Sequence, residues 1–305
     1  MKPSKEQKER EVALSKLEKE YEKELIRNYQ LALKELRGRI AFVYEKYDGS
    51  WIEMNRYNRL VKLEKEIIEE IRKLTGKNAK TLIKSLMETY EESYYRTSYV
   101  LTNAVQVDLA FAALSTELIR QSIENPLDRV GFLLRNKENQ ARLTRQLREL
   151  LTQSLILGES YRTAAKKIKE RMDIGATNAL RIARTEMHRV RHQAQLESMK
   201  EGEKRGIVLK HHWLATIDSR TRHNHGKLDG VQVDLDEQFE IDGYRGDGPG
   251  LFGAPEMDIN CRCTMLEVVE GFEPKYRRIK DVGLVRYATY EDFIEKGIKH
   301  KKIKD

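Results

Sequence analysis

As far as Glu201 the apolar side chains of this chain recur at steps of three and four, and beyond Gly202 and Gly206 the spacing switches to alternation. A three-to-four step marks one face of a helix, and alternation marks a strand. Residues 1–201 can therefore fold only as helices, and whatever sheet exists must be built from the short remainder.

Within the helical part, Val12, Leu14, Leu17, Tyr21, Leu25, Tyr29, Leu33 and Leu36 predict one helix over residues 1–45, ended by Asp48-Gly49-Ser50. Leu60, Leu63, Ile67, Ile71 and Leu74 predict a second over 55–74, stopping at Thr75-Gly76. A third, 78–103, carries Tyr90, Tyr94, Tyr95 and Tyr99, read as half-buried packing, and a fourth covers 107–123. A basic helix over 137–157 ends at Gly158. Ser160 caps a short helix, 161–172, closed by Asp173-Ile174-Gly175. Helix 176–201 has a buried stripe, Leu180, Ala183, Met187, Val190 and Ala194. Beside it runs a polar stripe, Arg181, Arg184, His188, Arg191 and Gln195.

Strands are expected at 207–214, 231–233 and 259–269, with a Gly/Pro-rich excursion over 243–255. The fold class is α+β, predominantly α: an extended N-terminal helical region followed by a small C-terminal α+β module with a short antiparallel sheet. Four regions follow: N-terminal helices (1–134), basic helices (135–206), the α+β cassette (207–270) and a basic tail (271–305), read as a solvated terminus.

Charge divides along the same lines. Between Arg135 and Arg191 there are 14 Lys/Arg against 6 Asp/Glu, whereas His212 to Glu270 has 5 against 12. The net +8 of the chain thus sits on the helices before the cassette. Clustered cations attract polyanions, so Arg142, Arg145, Arg148, Lys166, Lys167, Arg181, Arg184 and Arg191 are the candidates for double-stranded DNA contact. With 39% hydrophobic and 35% charged residues the chain suits an assembly component. No apolar run long enough for a membrane span and no signal peptide is seen, so no membrane partner is expected and a cytoplasm is the expected compartment.

Special chemistry is concentrated between Trp213 and Cys263. His223, His225, Cys261 and Cys263 have the inventory of a tetrahedral zinc site, although not the usual spacing; the alternative is that the cysteines pack as small buried side chains. No other cofactor is indicated. Asp218, His225 and Asp229 could converge with Cys261 and Cys263 as a metal-dependent hydrolase or nuclease, or serve as turn residues, with Asp218 capping Arg220-Thr221 and Asp229-Gly230 turning the chain. Arg220, Arg222 and Arg262 are placed to brace an acidic module, and Glu186 to pair with Arg181 or Arg184. No serine-histidine-acid order, phosphate loop or C-x-x-C pair occurs, and no enzyme is expected.

Arg184-Thr185-Glu186, Trp213, Asp218-x-Arg220-Thr221-Arg222-x-x-His225, Leu228-Asp229-Gly230 and Asn260-Cys261-Arg262-Cys263 together resemble the signature of the Mu F-like phage head morphogenesis family, closely over 151–269. The N-terminal helices are similar to those of minor head proteins of tailed phages. This resemblance implies a minor capsid protein in the head interior near the portal vertex, acting in procapsid assembly, with the portal, the major capsid or scaffolding protein and packaged or ejected DNA as partners. It implies no catalytic residue.

Overall fold

A computed structural model describes residues 4–105, 111, 114–124, 131–269, 276–279 and 283–286. Its helices are α1 (Lys5–Tyr47), α2 (Trp51–Asn55), α3 (Arg59–Val105), α4 (Thr116–Glu124), α5 (Phe132–Ile156) and α6 (Tyr161–Lys204). The cassette contributes β1 (Leu209–Leu214), α7 (His223–Lys227), β2 (Gln232–Asp234), β3 (Phe239–Ile241), β4 (Tyr244–Gly246), α8 (Pro255–Asp258) and β5 (Thr264–Val269). Beyond it β6 (Tyr276–Ile279) pairs antiparallel with β7 (Gly283–Arg286). The rest of the expected tail and the start of the expected fourth helix, 107–110, lie outside the described residues.

The helices are longer than the breaker residues suggested. α3 runs through Thr75-Gly76, because Ile71, Leu74 and Leu82 keep one buried stripe in register and the Thr75 hydroxyl donates back to the Ile71 carbonyl at 2.9 Å. A lone glycine costs a helix only about 1 kcal/mol, which one buried leucine offsets. α6 likewise absorbs the expected break at Gly175. A Cβ there would lie 2.9 Å from Leu143 Cδ2 and 3.4 Å from Tyr29 Cε1, so the glycine permits close packing and terminates nothing.

Two compact units form, and they cut across the four-part division of the sequence. One takes residues 18–85 and 130–184. It packs Tyr21, Leu25, Tyr29, Leu36 and Ile40 of α1, Leu63, Ile67 and Ile71 of α3, Leu143, Leu147 and Leu151 of α5, and Ala164, Ile168 and Met172 of α6. Asn28 donates to Asn78 inside this core at 2.9 Å.

The other unit takes residues 1–17, 86–129 and 185–305, so the start of α1, the end of α3 and the end of α6 all belong with the cassette. α1 opens on a capping box, in which Ser4 Oγ accepts from Gln7 N at 3.1 Å and Gln7 Oε1 from Ser4 N at 2.9 Å. Val12 faces solvent, and Arg10 takes a place on the buried stripe with Leu14. Of the tyrosines, Tyr90 and Tyr94 are buried, while Tyr95 and Tyr99 are exposed.

The sheet has the order β2-β1-β5, antiparallel throughout, with Lys210 opposite Asp234 and Trp213 opposite Met265. β1 is central, and His211, His212 and Trp213 are all buried. Leu101, Leu196, Met199, Ile207, Leu209, Leu235 and Met265 form one core, joining helices to sheet; a second core surrounds Trp213. The expected strand 259–269 is shorter. Residues 255–258 form α8, and Asn260 adopts a left-handed φ of 56°, which bends the chain before β5 begins. The Gly/Pro excursion holds an unexpected hairpin, β3–β4, turned by Asp242 (φ 51°) and Gly243 (φ 83°) as a two-residue turn requires.

Candidate functional site: a buried thiol and imidazole cluster

His225, Cys261 and Cys263 meet inside the second core. Cys261 and Cys263 are two apart on extended chain, which points both thiols the same way. His225 Nδ1 lies 3.6 Å from the Cys261 sulfur and 3.5 Å from that of Cys263. Both thiols are free and buried. Trp213 walls the cluster, its ring in edge contact with His225 at 5.6 Å, Phe239 at 5.4 Å and Phe252 at 5.9 Å. The proximity of the two thiols draws that of Cys263 down and, with burial, pushes that of Cys261 up.

His223 is not part of this cluster. It and His225 both lie on α7, where residues two apart project about 200° around the axis. One must face outward when the other faces in, and His223 is exposed. The four-ligand set read from composition therefore loses one member for a geometric reason.

Asp218 and Asp229 also stand apart from the cluster. Asp229 is buried and accepts from Ala215 N at 2.8 Å, while Gly230 N donates to the Trp213 carbonyl at 3.0 Å. Asp218 accepts from Arg220 N at 2.9 Å and is gripped by both terminal nitrogens of Arg262, at 2.5 and 2.6 Å. The Arg262 guanidinium holds its carboxyl well below the usual carboxylate range. Among the described residues, only His225, Cys261 and Cys263 come together as three metal-capable side chains. The hydrolase arrangement of Asp218, His225 and Asp229 is therefore not assembled: the two carboxylates are committed to turns.

The remaining arginines tie loops down. Arg222 donates to the Met257 carbonyl at 3.5 Å and to that of Ile259, and Arg220 is mainly exposed, 3.6 Å from Asp218. Thr221 donates to the Thr216 carbonyl, and Thr216 to that of Arg262 at 2.6 Å. Glu186 is fully buried and binds Arg189 at 3.0 Å, three residues on. Arg189 reaches on to the carbonyls of Ser122 and Ile123, joining α6 to α4.

Of the DNA-contact candidates, Arg142, Arg145, Lys166 and Arg181 are exposed. Arg148 pairs with Glu64, Lys167 with Glu159 and Arg184 with Glu22 while remaining partly open to solvent. Arg191 is turned inward. Its side chain is only 14% exposed and is bonded to Glu11 and Thr264, so its charge is already answered.

Several buried polar residues escaped the sequence reading. Arg10 is fully buried between Thr97, at 3.0 Å, and Glu267 of β5. Its one signal was register, four residues before Leu14 on the buried face. His192 is fully buried against His188, ring centroids 4.4 Å apart. Burial, then the charges of Arg191 and His225, hold His188 down to about 3; burial and the neighbouring cations hold His192 far below its ordinary value.

Against this geometry the similarities are specific. Residues 145–266, from α5 into β5, match the family described as Phage Mu protein F like protein. Over 282 residues the chain is 29% identical to "Minor head protein GP7" of Bacillus phage SPP1, covering 89% of the chain and 91% of that protein. Residues 145–266 of the chain thus resemble the Mu F-like family, and most of the chain is similar to a phage minor head protein. These similarities support a role in phage head morphogenesis. The chain is also 29% identical over 287 residues to "NAD(+)--arginine ADP-ribosyltransferase EFV" of Enterococcus faecalis strain V583, spanning 93% of the chain but 59% of that protein. No solved structure matches it. No helix among the described residues is long and apolar enough to cross a membrane.

Proposed function

We propose that this Mu F-like protein is a minor, portal-associated component of the phage head that acts in procapsid assembly and meets double-stranded DNA through non-specific phosphate contacts. The observation that carries the reading is the end-to-end similarity to an SPP1 minor head protein of matching length. Portal and major capsid or scaffolding protein are the assembly partners, and the interior of the head near the portal vertex is the working location. Assembly itself takes place in the host cytoplasm.

The DNA contact falls to the unit holding α5 and the first part of α6, where Arg142, Arg145, Lys166 and Arg181 are exposed. Lys and Arg on phosphates give affinity without sequence readout, which suits a protein that meets whichever genome is packaged. Two measurements with the full chain test the proposal. Co-expressed portal protein should co-purify with it through gel filtration, and duplex DNA should bind at low salt with affinity falling steeply as salt rises. Charge reversal at Arg142, Arg145 and Lys166 should flatten that salt slope by about one per lost phosphate contact. Absence of portal binding would overturn the first half, and salt-independent or absent DNA binding the second.

Transferase activity is not part of this reading. The stretch shared with the enterococcal transferase is also shared with a phage minor head protein, and 59% of the transferase is all that the chain spans. Incubation of the chain with labelled NAD and an arginine-rich acceptor should transfer no label.

A further inference from the structure

We propose that His225, Cys261 and Cys263 bind one zinc ion that clips the cassette shut. Two segments converge at this point: α7, which follows β1, and the bend from Asn260 into β5. Each brings soft or borderline donors, and all three donor atoms lie within 4.8 Å of one another.

The spacing matches tetrahedral coordination. With Zn–S at about 2.3 Å and Zn–N at about 2.05 Å, the tetrahedral angle puts sulfur and nitrogen about 3.6 Å apart. The two observed separations are 3.6 and 3.5 Å. A thiol–imidazole hydrogen bond spans a similar distance, but Nδ1 has one lone pair and serves one thiol. Two sulfurs equidistant from the same nitrogen are better explained by a shared cation lying between all three.

Burial argues the same way. The donors sit in an aromatic surround of Trp213, Phe239 and Phe252, among fully or nearly buried residues, so any thiolate formed there needs a counter-charge. Arg262, between the two cysteines, is directed to Asp218 and does not supply it. Asp258 does not either: it is buried, and its negative charge is felt at Cys261. Its carboxylate accepts from Phe252 N at 3.1 Å and lies outside the three-donor group. A cation thus offsets several buried negative groups at once. A site so enclosed has no room for substrate, and its role is structural.

Purified full-length protein, expressed with zinc and handled without chelator, should contain about one zinc per chain by elemental mass spectrometry. Cobalt titration of the chelator-stripped, reduced chain should saturate at one equivalent with thiolate charge-transfer absorption and the intense visible bands of a tetrahedral ion. Cys261→Ser and Cys263→Ser should each lose the metal, whereas His223→Ala should keep it. Since the serine variants can fail to fold, the cobalt titration of the unaltered chain decides by itself. No zinc together with no thiolate–cobalt band would overturn the proposal. So would a Cys261–Cys263 disulfide in freshly isolated protein, or full metal content in a folded Cys263→Ser variant.

Discussion

Replacing Arg10 tests whether the first turns of α1 are part of the cassette's fold. Arg10 is fully buried, bonded to Glu267 and Thr97, and burial lowers its guanidinium to about 10, still charged at neutral pH. In Arg10→Met the Glu267 carboxylate stays buried beside Gln7 Nε2, a neutral donor at 2.9 Å. Breaking one side of such a pair costs about 3–5 kcal/mol, a large part of a typical domain's stability. Glu267→Leu should cost a comparable amount, because it removes the arginine's nearest carboxylate and leaves it only Glu11, 3.6 Å from Nε, among the described ion pairs. The double variant removes both charges and leaves Thr97 and Gln7 short of one partner each, about 1–2 kcal/mol together. The two substitutions should therefore be non-additive by about 3 kcal/mol or more, at the upper end of measured couplings. Urea unfolding at neutral pH measures this, in a Trp51→Phe background so that buried Trp213 reports on the cassette. If Arg10→Met costs less than about 1 kcal/mol, or the double loss equals the sum of the singles, the contact is incidental and the argument fails.

Three further outcomes are expected. His192 has its folded pKa held below the ordinary 6.5, so it is neutral in both states above that value. As pH falls below 6.5 the unfolded chain takes a proton that the fold refuses, so stability falls, and His192→Gln should narrow the difference between denaturation at pH 7 and pH 5. Asp218→Asn leaves Arg262 without its paired acceptor; since both side chains are about a third exposed, the loss in thermal stability should correspond to only about 1 kcal/mol. Its depressed pKa places that contribution above the carboxylate's unfolded value and removes it only in acid, so a difference between wild type and variant that did not shrink as the pH falls below 3.8 would contradict the assignment. Gly76→Ala should stabilise by about 0.5–1 kcal/mol, since nothing lies within 4 Å of the new methyl, whereas Gly175→Ala should forfeit that gain against Leu143. Equal Tm shifts for the two alanine variants would refute the packing account of Gly175.

What was legible in the chain was what local geometry decides. The stripe Ala183, Met187, Val190 and Ala194 is buried as its spacing implies, and β1 and β2 fall within two residues of expectation. The breaks at Gly76 and Gly175 were misread because a glycine's cost is small beside a continuing apolar stripe, and its benefit at Gly175 depends on a side chain from another helix. The β3–β4 hairpin was legible and overlooked, since Asp242-Gly243 between Phe-Glu-Ile and Tyr-Arg-Gly is a strong turn signal. In the cluster, composition supplied four candidate ligands, and only the helical placement of His223 and His225 separated them. The roles of Arg10, Arg189 and Glu267 could not be read at all, because each depends on a partner far along the chain or on which face of its helix is covered.

That last group explains why similarity extends well beyond the matched segment. Residues 145–266 hold the Mu F-like pattern, yet the unit that contains β1 and β5 is completed from outside it. Leu101 joins its core, Ser98 meets Ser198 at 3.0 Å, Ser93 donates to the Arg191 carbonyl at 2.6 Å, and Arg10 neutralises Glu267, one residue past the match. Cut free at residue 145, the segment would expose an apolar face and leave a carboxylate buried without its arginine. The N-terminal helices are thus part of the folding unit that carries the signature. This accounts physically for an alignment with an SPP1 minor head protein that runs over 282 residues and does not stop at the edges of the pattern.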